Sequence, residues 1–251
     1  MINKIFLLLV IVFLFASITN SQPSDNTELP KLLYSTSEVE RIAEMLDGDI
    51  IFENKLIKQQ LLKRLEDYDI LHFATHAEVN DLVPLSSNLK INSENDSTGS
   101  IYLYEIYGLN LKAQMAVLSA CNTGIGKMIK SEGMISLARA FKYANCSSVI
   151  TSLWEVGDKS TSEIMTGFYS SLIKNQPKDI ALREAKLKYI NESNSKTASP
   201  YYWAGIIPMG DSSPLHFKDN SGKILYVFIV FGFLFGYISL RYYLRKRKVI
   251  I

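Results

Sequence analysis

Two side chains able to work together as nucleophile and proton carrier close two apolar runs: His76 ends ILHFATH and Cys121 ends MAVLSAC. A thiolate attacks a carbonyl carbon and needs an imidazole within reach to take up and return protons. A cysteine and a histidine at the ends of neighbouring parallel strands therefore form a dyad suited to acyl transfer. A cysteine inside an apolar strand is more often an inert small hydrophobe. Cys121 differs in standing where the run stops, and Asn122, Thr123, Gly124 and Gly126 follow it in a loop that leaves the thiol accessible. Asp158 lies in the loop after SVITSLW and has two competing roles: a pocket carboxylate for a basic substrate side chain, or the N-cap of the next helix, which its position favours. Glu155 is a weaker candidate for the same pocket.

The elements that must position these groups alternate between helical and strand periods. Ser35 with Glu38 has the form of a capping box, and Val39, Ile42, Ala43 and Leu46 then recur at helical spacing until Asp47 and Gly48. A short strand over 49–53, a helix marked by Ile57, Leu61, Leu65 and Tyr68, and a buried strand over Ile70–Ala74 come next, followed by a polar loop. The run MAVLSA predicts a second buried strand; a Gly-containing loop and a helix of Met134, Leu137, Ala138 and Phe141 follow, then a strand over 148–153. Two helices, carrying Ile164, Phe168 and Leu172, and Leu182, Ala185 and Tyr189, precede a last strand near 204–208. Buried strands alternating with helices imply an α/β sandwich around a mostly parallel sheet, with ligands at the carboxyl ends of its strands.

His72 lies two strand periods before His76, about 13 Å deeper. It reads as a buried, hydrogen-bonded structural histidine, or else as a partner of the groups at the strand end. Cys146 is expected at the far end of a helix starting near Gly133, about 18 Å of helix from the strand edge. A disulfide with Cys121 would need Cα atoms within about 7 Å, so both thiols are expected free.

Both ends of the 251-residue chain are apolar. Lys4 followed by the apolar stretch 5–18 and the small residues Thr19 and Ser21 predicts a signal peptide over 1–21. The globular part is expected over 22–215, a linker over 216–223, a transmembrane helix over 224–244 and a basic cytoplasmic tail over 245–251. The cations Arg241, Arg245, Lys246, Arg247 and Lys248 place that tail on the cytoplasmic side and the globular domain on the periplasmic or extracellular side of a single-pass membrane protein. His216 is then an exposed linker residue. Removing Lys4 and these five from the 27 Lys and Arg leaves 21 against 25 Asp and Glu, so the formal net charge of +2 conceals an acidic domain. With no basic patch to neutralise phosphates, nucleic acid is not expected as a partner. CNTGIGKM, over 121–128, superficially resembles a phosphate loop but lacks both its first glycine and the Ser or Thr after the lysine. No group of His, Cys and carboxylates has metal-ligand spacing, and no cofactor or metal is expected.

The blocks HFATHA (72–77), LSACNTGIG (118–126), EGMISLARAF (132–141), SVITSLWEVGDKST (148–161) and PYYWAGIIPMGD (200–211), in this order, resemble a CHAT domain over roughly 31–211. That family belongs to the caspase-like, separase-related cysteine peptidases. The resemblance implies a caspase-like three-layer α/β sandwich, with His76 as catalytic imidazole and Cys121 as nucleophile. The backbone N–H groups of Ala77 and Cys121 would then form an oxyanion hole; Ala77 stands where caspase-like sites often carry glycine, and alanine still supplies the donor if its φ is negative. Many members carry helical repeats ahead of the domain, which makes a separate regulatory protein with such repeats an expected partner. The function implied is a membrane-tethered cysteine endopeptidase acting on protein or peptide substrates. The alternative is a catalytically silent caspase-fold adaptor that binds a protein partner at the membrane.

Overall fold

The computed structural model describes residues 7–11, 33–52, 58–80, 82–91, 99–119, 127–129, 133–217 and 236–237. Along the chain run β1 (Leu7–Ile11), α1 (Ser35–Leu46), β2 (Asp49–Phe52), α2 (Lys58–Leu65), β3 (Ile70–Ala74), β4 (Ala77–Glu78), β5 (Asn88–Lys90) and β6 (Ser100–Tyr102). Then come α3 (Leu103–Tyr107), β7 (Met115–Leu118), β8 (Lys127–Ile129), β9 (Gly133–Ile135), α4 (Leu137–Tyr143), β10 (Ser148–Ser152), α5 (Asp158–Leu172), α6 (Lys178–Glu192) and β11 (Ile206–Gly210). Six strands form one sheet in the order β11-β10-β7-β3-β1-β2, parallel throughout except for β11 at one edge. The expected α/β architecture with a mostly parallel sheet is present.

Strand alternation divides the helices between the two faces. All five residues of β3 are buried. Leu71 and Phe73 enter a cluster with Leu61 and Leu65 of α2, Ile106 of α3, and Ala138 and Phe141 of α4. The rings of Phe73 and Phe141 meet at 5.4 Å between centroids, and burying each aromatic side chain stabilises the fold by about 1.5–3 kcal/mol. His72, between them in sequence, points to the opposite face and meets Tyr169 of α5 and Glu38 of α1. On that face Val39, Ile42 and Leu46 of α1 are buried, and the helix ends at Asp47, whose φ of 51° lies in the left-handed region.

Several local expectations are corrected. The residue before α1 is Tyr34, which caps with no side chain; Ser35 is the first helical residue, and Glu38, 1% exposed, is turned into the protein rather than back to the helix start, so there is no capping box. The segment from Ala77 to Tyr102, expected as a polar loop, contributes a second antiparallel sheet in the order β4-β5-β6. Met134 belongs to the β8–β9 hairpin, and the helix begins only at Leu137, where the Ser136 hydroxyl accepts the Arg139 N–H. Cys146 therefore lies just beyond a helix of seven residues, buried and free, its Sγ–H donating to the Ser148 carbonyl. The last strand starts at Ile206, slightly later than expected.

Leu7–Ile11, inside the stretch expected to be a signal peptide, runs parallel between β3 and β2; the remainder of 1–21 lies outside the described residues. Of the expected membrane span over 224–244, only Gly236 and Tyr237 are described. Among the described residues no helix is long and apolar enough to cross a membrane. The domain ends in a clasp: the Gln114 side-chain amide donates to the His216 carbonyl at 3.1 Å, and the His216 N–H donates back to Gln114 Oε1 at 2.8 Å.

Candidate active site

Parallel pairing sets β3 and β7 side by side with Phe73 level with Leu118, and the Ser119 N–H continues the ladder to the Phe73 carbonyl at 2.9 Å. His76 and Cys121 each follow three residues later in sequence, beyond the carboxyl ends of these two strands. His76 is half-buried. Cys121, expected as the nucleophile and as one oxyanion donor, lies outside the described residues.

Directly after His76 the chain enters β4, which is an edge of the small sheet. The Lys90 N–H donates to the His76 carbonyl at 2.9 Å, and Ala77 stands opposite Leu89. Because hydrogen-bonded and non-hydrogen-bonded pairs alternate in an antiparallel ladder, the Ala77 N–H points away from β5, to the open side of β4. Among the described residues the positive-φ positions other than glycine are Asp47, Asn145 and Asn175, so Ala77 meets the negative-φ condition. The loop beyond it presents Leu82, Val83 and Leu85 to solvent, with Leu82 88% exposed.

Asp158 is not an N-cap. Gly157, with extended backbone (φ −60°, ψ 134°), precedes α5, and Asp158 is its first helical residue. Its Oδ2 instead accepts the Tyr34 N–H at 2.7 Å, tying the start of α5 to the start of α1. Burial pushes the Asp158 carboxyl above its ordinary value; the charge of Glu38 also raises it, while the N–H groups of Tyr34 and Leu33 and the charge of His76 pull it down. Glu155 is exposed in the preceding loop. A small depression lies beside the ends of β7 and β10, with Ser119, Thr151, Ser152, Val156, Thr161 and Met165 in its wall. Asp158 and Glu155 are not part of that wall.

His72 is fully buried, and both ring nitrogens are engaged: Nδ1 with the Tyr169 hydroxyl at 3.1 Å and Nε2 with Glu38 Oε1 at 2.9 Å. Burial, and after it the Glu38 charge, hold the Tyr169 phenol well above its ordinary value, so it keeps its proton. Donated to Nδ1, that proton leaves Nε2–H to donate to the carboxylate. The Ser119 hydroxyl donates to the same Glu38 oxygen at 2.9 Å. The reading of His72 as a buried, hydrogen-bonded structural histidine holds, and its ring shares the Glu38 acceptor with the Ser119 hydroxyl. Sequence reasoning missed Glu38, Ser119 and Tyr169. Glu38 had a signal, for it lies four residues before Ile42 on the apolar face of α1, where a carboxylate is out of place unless partnered. Cys146 is ill suited to nucleophilic work, since burial pushes its thiol up to about 11. Among the described residues no group of His, Cys, Asp and Glu could hold a metal ion.

Comparison with known proteins agrees with this layout. The fold is shared with the Arg-specific cysteine proteinase gingipain R (RgpB) of Porphyromonas gingivalis, at a TM-score of 0.53 and 9% identity over 85% of this chain and 50% of that one. It is also shared with separase in the Saccharomyces cerevisiae separase–securin complex, at a TM-score of 0.52 and 12% identity over 83% and 12% of the two chains. Tetratricopeptide repeat protein 28 of Homo sapiens is 24% identical over 212 residues, or 71% of this chain and 8% of that protein. Its Mus musculus counterpart is 22% identical over 70% and 8%. The chain thus spans less than a tenth of the curated relatives it matches. A family model described as CHAT domain matches residues 11–211, which takes in His72, His76, Cys121 and Asp158 together, and the chain belongs to the CHAT domain family.

Proposed function

We propose that the protein is a cysteine endopeptidase in which His76 and Cys121 form the catalytic dyad. The observation that carries this reading is the register of β3 and β7, which are neighbours with Phe73 level with Leu118, so that His76 and Cys121 each come three residues after that pair. His76 takes the thiol proton; the Cys121 sulfur bonds to the substrate carbonyl carbon, and the carbonyl π electrons move to its oxygen, held by the N–H groups of Ala77 and Cys121. Collapse of the tetrahedral adduct breaks the C–N bond, and the proton on His76 goes to the leaving amine. Water, deprotonated by His76, then attacks the thioester, the C–S bond breaks, and the thiol is restored. No cofactor is required. Asp158, with Glu155 as a weaker second, supplies negative charge for a basic side chain before the scissile bond.

The reading includes a membrane tether, with 224–244 as a single span, the basic tail cytoplasmic and the domain on the periplasmic or extracellular side. The charge pattern of residues 241–248 supports it. A regulatory protein with helical repeats is a fitting partner, because the curated relatives are named for such repeats. A second reading, a silent adaptor, is favoured by the apolar loop of Leu82, Val83 and Leu85 beside the site. Labelling of the full chain with a peptidyl electrophile separates the two. Wild type is expected to be labelled, with Cys121→Ala and His76→Ala unlabelled; labelling that persists in Cys121→Ala would refute the dyad.

A further inference from the structure

The buried carboxylate of Glu38 takes no part in the dyad chemistry, yet the first turn of α1 is bonded to each element from which the site emerges. It reaches β3 through His72, which precedes His76 by four residues, and it reaches the end of β7 through the Ser119 hydroxyl. The start of α5 is held by the Tyr34 N–H on Asp158, and its last turn by Tyr169, the second partner of His72. Glu38, His72 and Tyr169 are all at most 1% exposed, whereas Ser119 is half-buried where β7 ends.

We propose that Glu38 is a positioning residue for the nucleophile: by holding the Ser119 hydroxyl it fixes the direction in which the chain leaves β7, two residues before Cys121. A hydroxyl donating to a carboxylate makes a charge-assisted, directional bond. The oxygen it meets cannot swing away, because the same Oε1 accepts His72 Nε2–H and the rest of α1 is locked by Val39, Ile42 and Leu46. Stability alone gives no reason to put an acid, an imidazole and a phenol under a sheet, since well-packed apolar residues of the same volume do as well or better. What a connected polar network adds is a single orientation, and here its outer member is the residue at the strand exit. The inference rests on the dyad reading, because both the reactivity of the thiol and any turnover depend on its alignment with His76.

The test uses the full-length chain and iodoacetamide as the probe, with alkylation of the Cys121 peptide followed by mass spectrometry. Cys146 is a silent background, being buried with a thiol pushed up to about 11. Ser119→Ala removes only the outer hydroxyl and leaves the Glu38–His72–Tyr169 chain intact. It is expected to slow alkylation of Cys121 at least about fivefold, because a misdirected thiol loses its alignment with the base. Ser119→Thr, which restores the hydroxyl, is expected to stay within about twofold of wild type, and any peptidase activity to fall in kcat with KM unchanged in Ser119→Ala. Equal alkylation rates in wild type and Ser119→Ala, or a Ser119→Thr variant as slow as Ser119→Ala, would overturn the proposal. His76→Ala separates the two failures: wild-type alkylation in that variant would defeat the dyad and the positioning role with it, whereas slowed alkylation there together with wild-type rates in Ser119→Ala would defeat the positioning role alone.

Discussion

Tyr169→Phe removes one oxygen from the centre of the protein and leaves the ring where it is. The hydroxyl is fully buried and lies 3.1 Å from His72 Nδ1. The ring itself stays packed, at 5.6 Å from both the His72 and the Phe168 centroids. The loss is therefore that of the hydrogen bond, plus the cost of a buried imidazole nitrogen left without a partner, about 1–3 kcal/mol in total. For a domain of roughly 200 residues each kcal/mol moves Tm by about 2–4 °C, so a fall of about 2–12 °C is expected. Equilibrium urea unfolding followed by far-UV circular dichroism gives the free energy directly, provided the slope m is unchanged. Tyr143→Phe is the matched control, since Tyr143 is 71% exposed and its hydroxyl has water at hand; its change is expected within about 0.5 kcal/mol. A Tyr169→Phe variant as stable as that control would refute the closed network around His72.

Asp158→Asn tests the sign of the electrostatics at the start of α5. Burial above all raises the Asp158 carboxyl from its ordinary 3.8, so the folded state favours the protonated form. Wild type should therefore gain stability relative to the non-titrating asparagine as pH falls from about 7 through the folded value toward the unfolded one, and level off below it; a relative loss on acidification would mean that the Tyr34 and Leu33 N–H bonds dominate instead. Gly205→Ala tests packing next to the same loop: a Cβ there would meet Trp154 Cε2 at 2.7 Å, and the indole is pinned by its N–H to the Tyr201 carbonyl at 2.8 Å. Displacing the ring should cost about 1–3 kcal/mol and shift tryptophan emission, and an unchanged spectrum at wild-type stability would show that the ring moves freely.

The buried strands Ile70–Ala74, Met115–Leu118 and Ser148–Ser152 are legible in the sequence because strands covered on both faces are buried at every position and read as near-continuous apolar runs, interrupted here only by His72, Ser148, Thr151 and Ser152. The small sheet and the β8–β9 hairpin are not, because strands of two or three residues such as NLK and SIY are too short to display any period. Their positions are set by partners such as Lys90, whose N–H meets the His76 carbonyl and whose own carbonyl accepts the Thr75 hydroxyl. At the site, His76 and Cys121 can be picked out because residue type and strand end coincide. Asp158 passes for a cap because the sequence shows that it precedes a helix but not that Gly157 holds the cap position, leaving the carboxylate to the backbone of α1. Glu38 and Ser119 lie 81 residues apart, a pairing that only the closed fold brings about.

The clasp between Gln114 and His216 gives the domain a front and a back. Gln114 directly precedes β7 and Ser119 directly follows it, so one short strand spans the distance between exit and site, about 17 Å along the chain. Parallel strands share one polarity, so the chain leaves the domain at His216 from the pole where they begin, and His76 lies at the pole where they end. The clasped end and the histidine end of the domain are therefore opposite poles of the same pair of strands. A force applied at His216 would load Gln114 and the root of β7 first, so mechanical strain would enter the sheet along a central strand rather than along an edge.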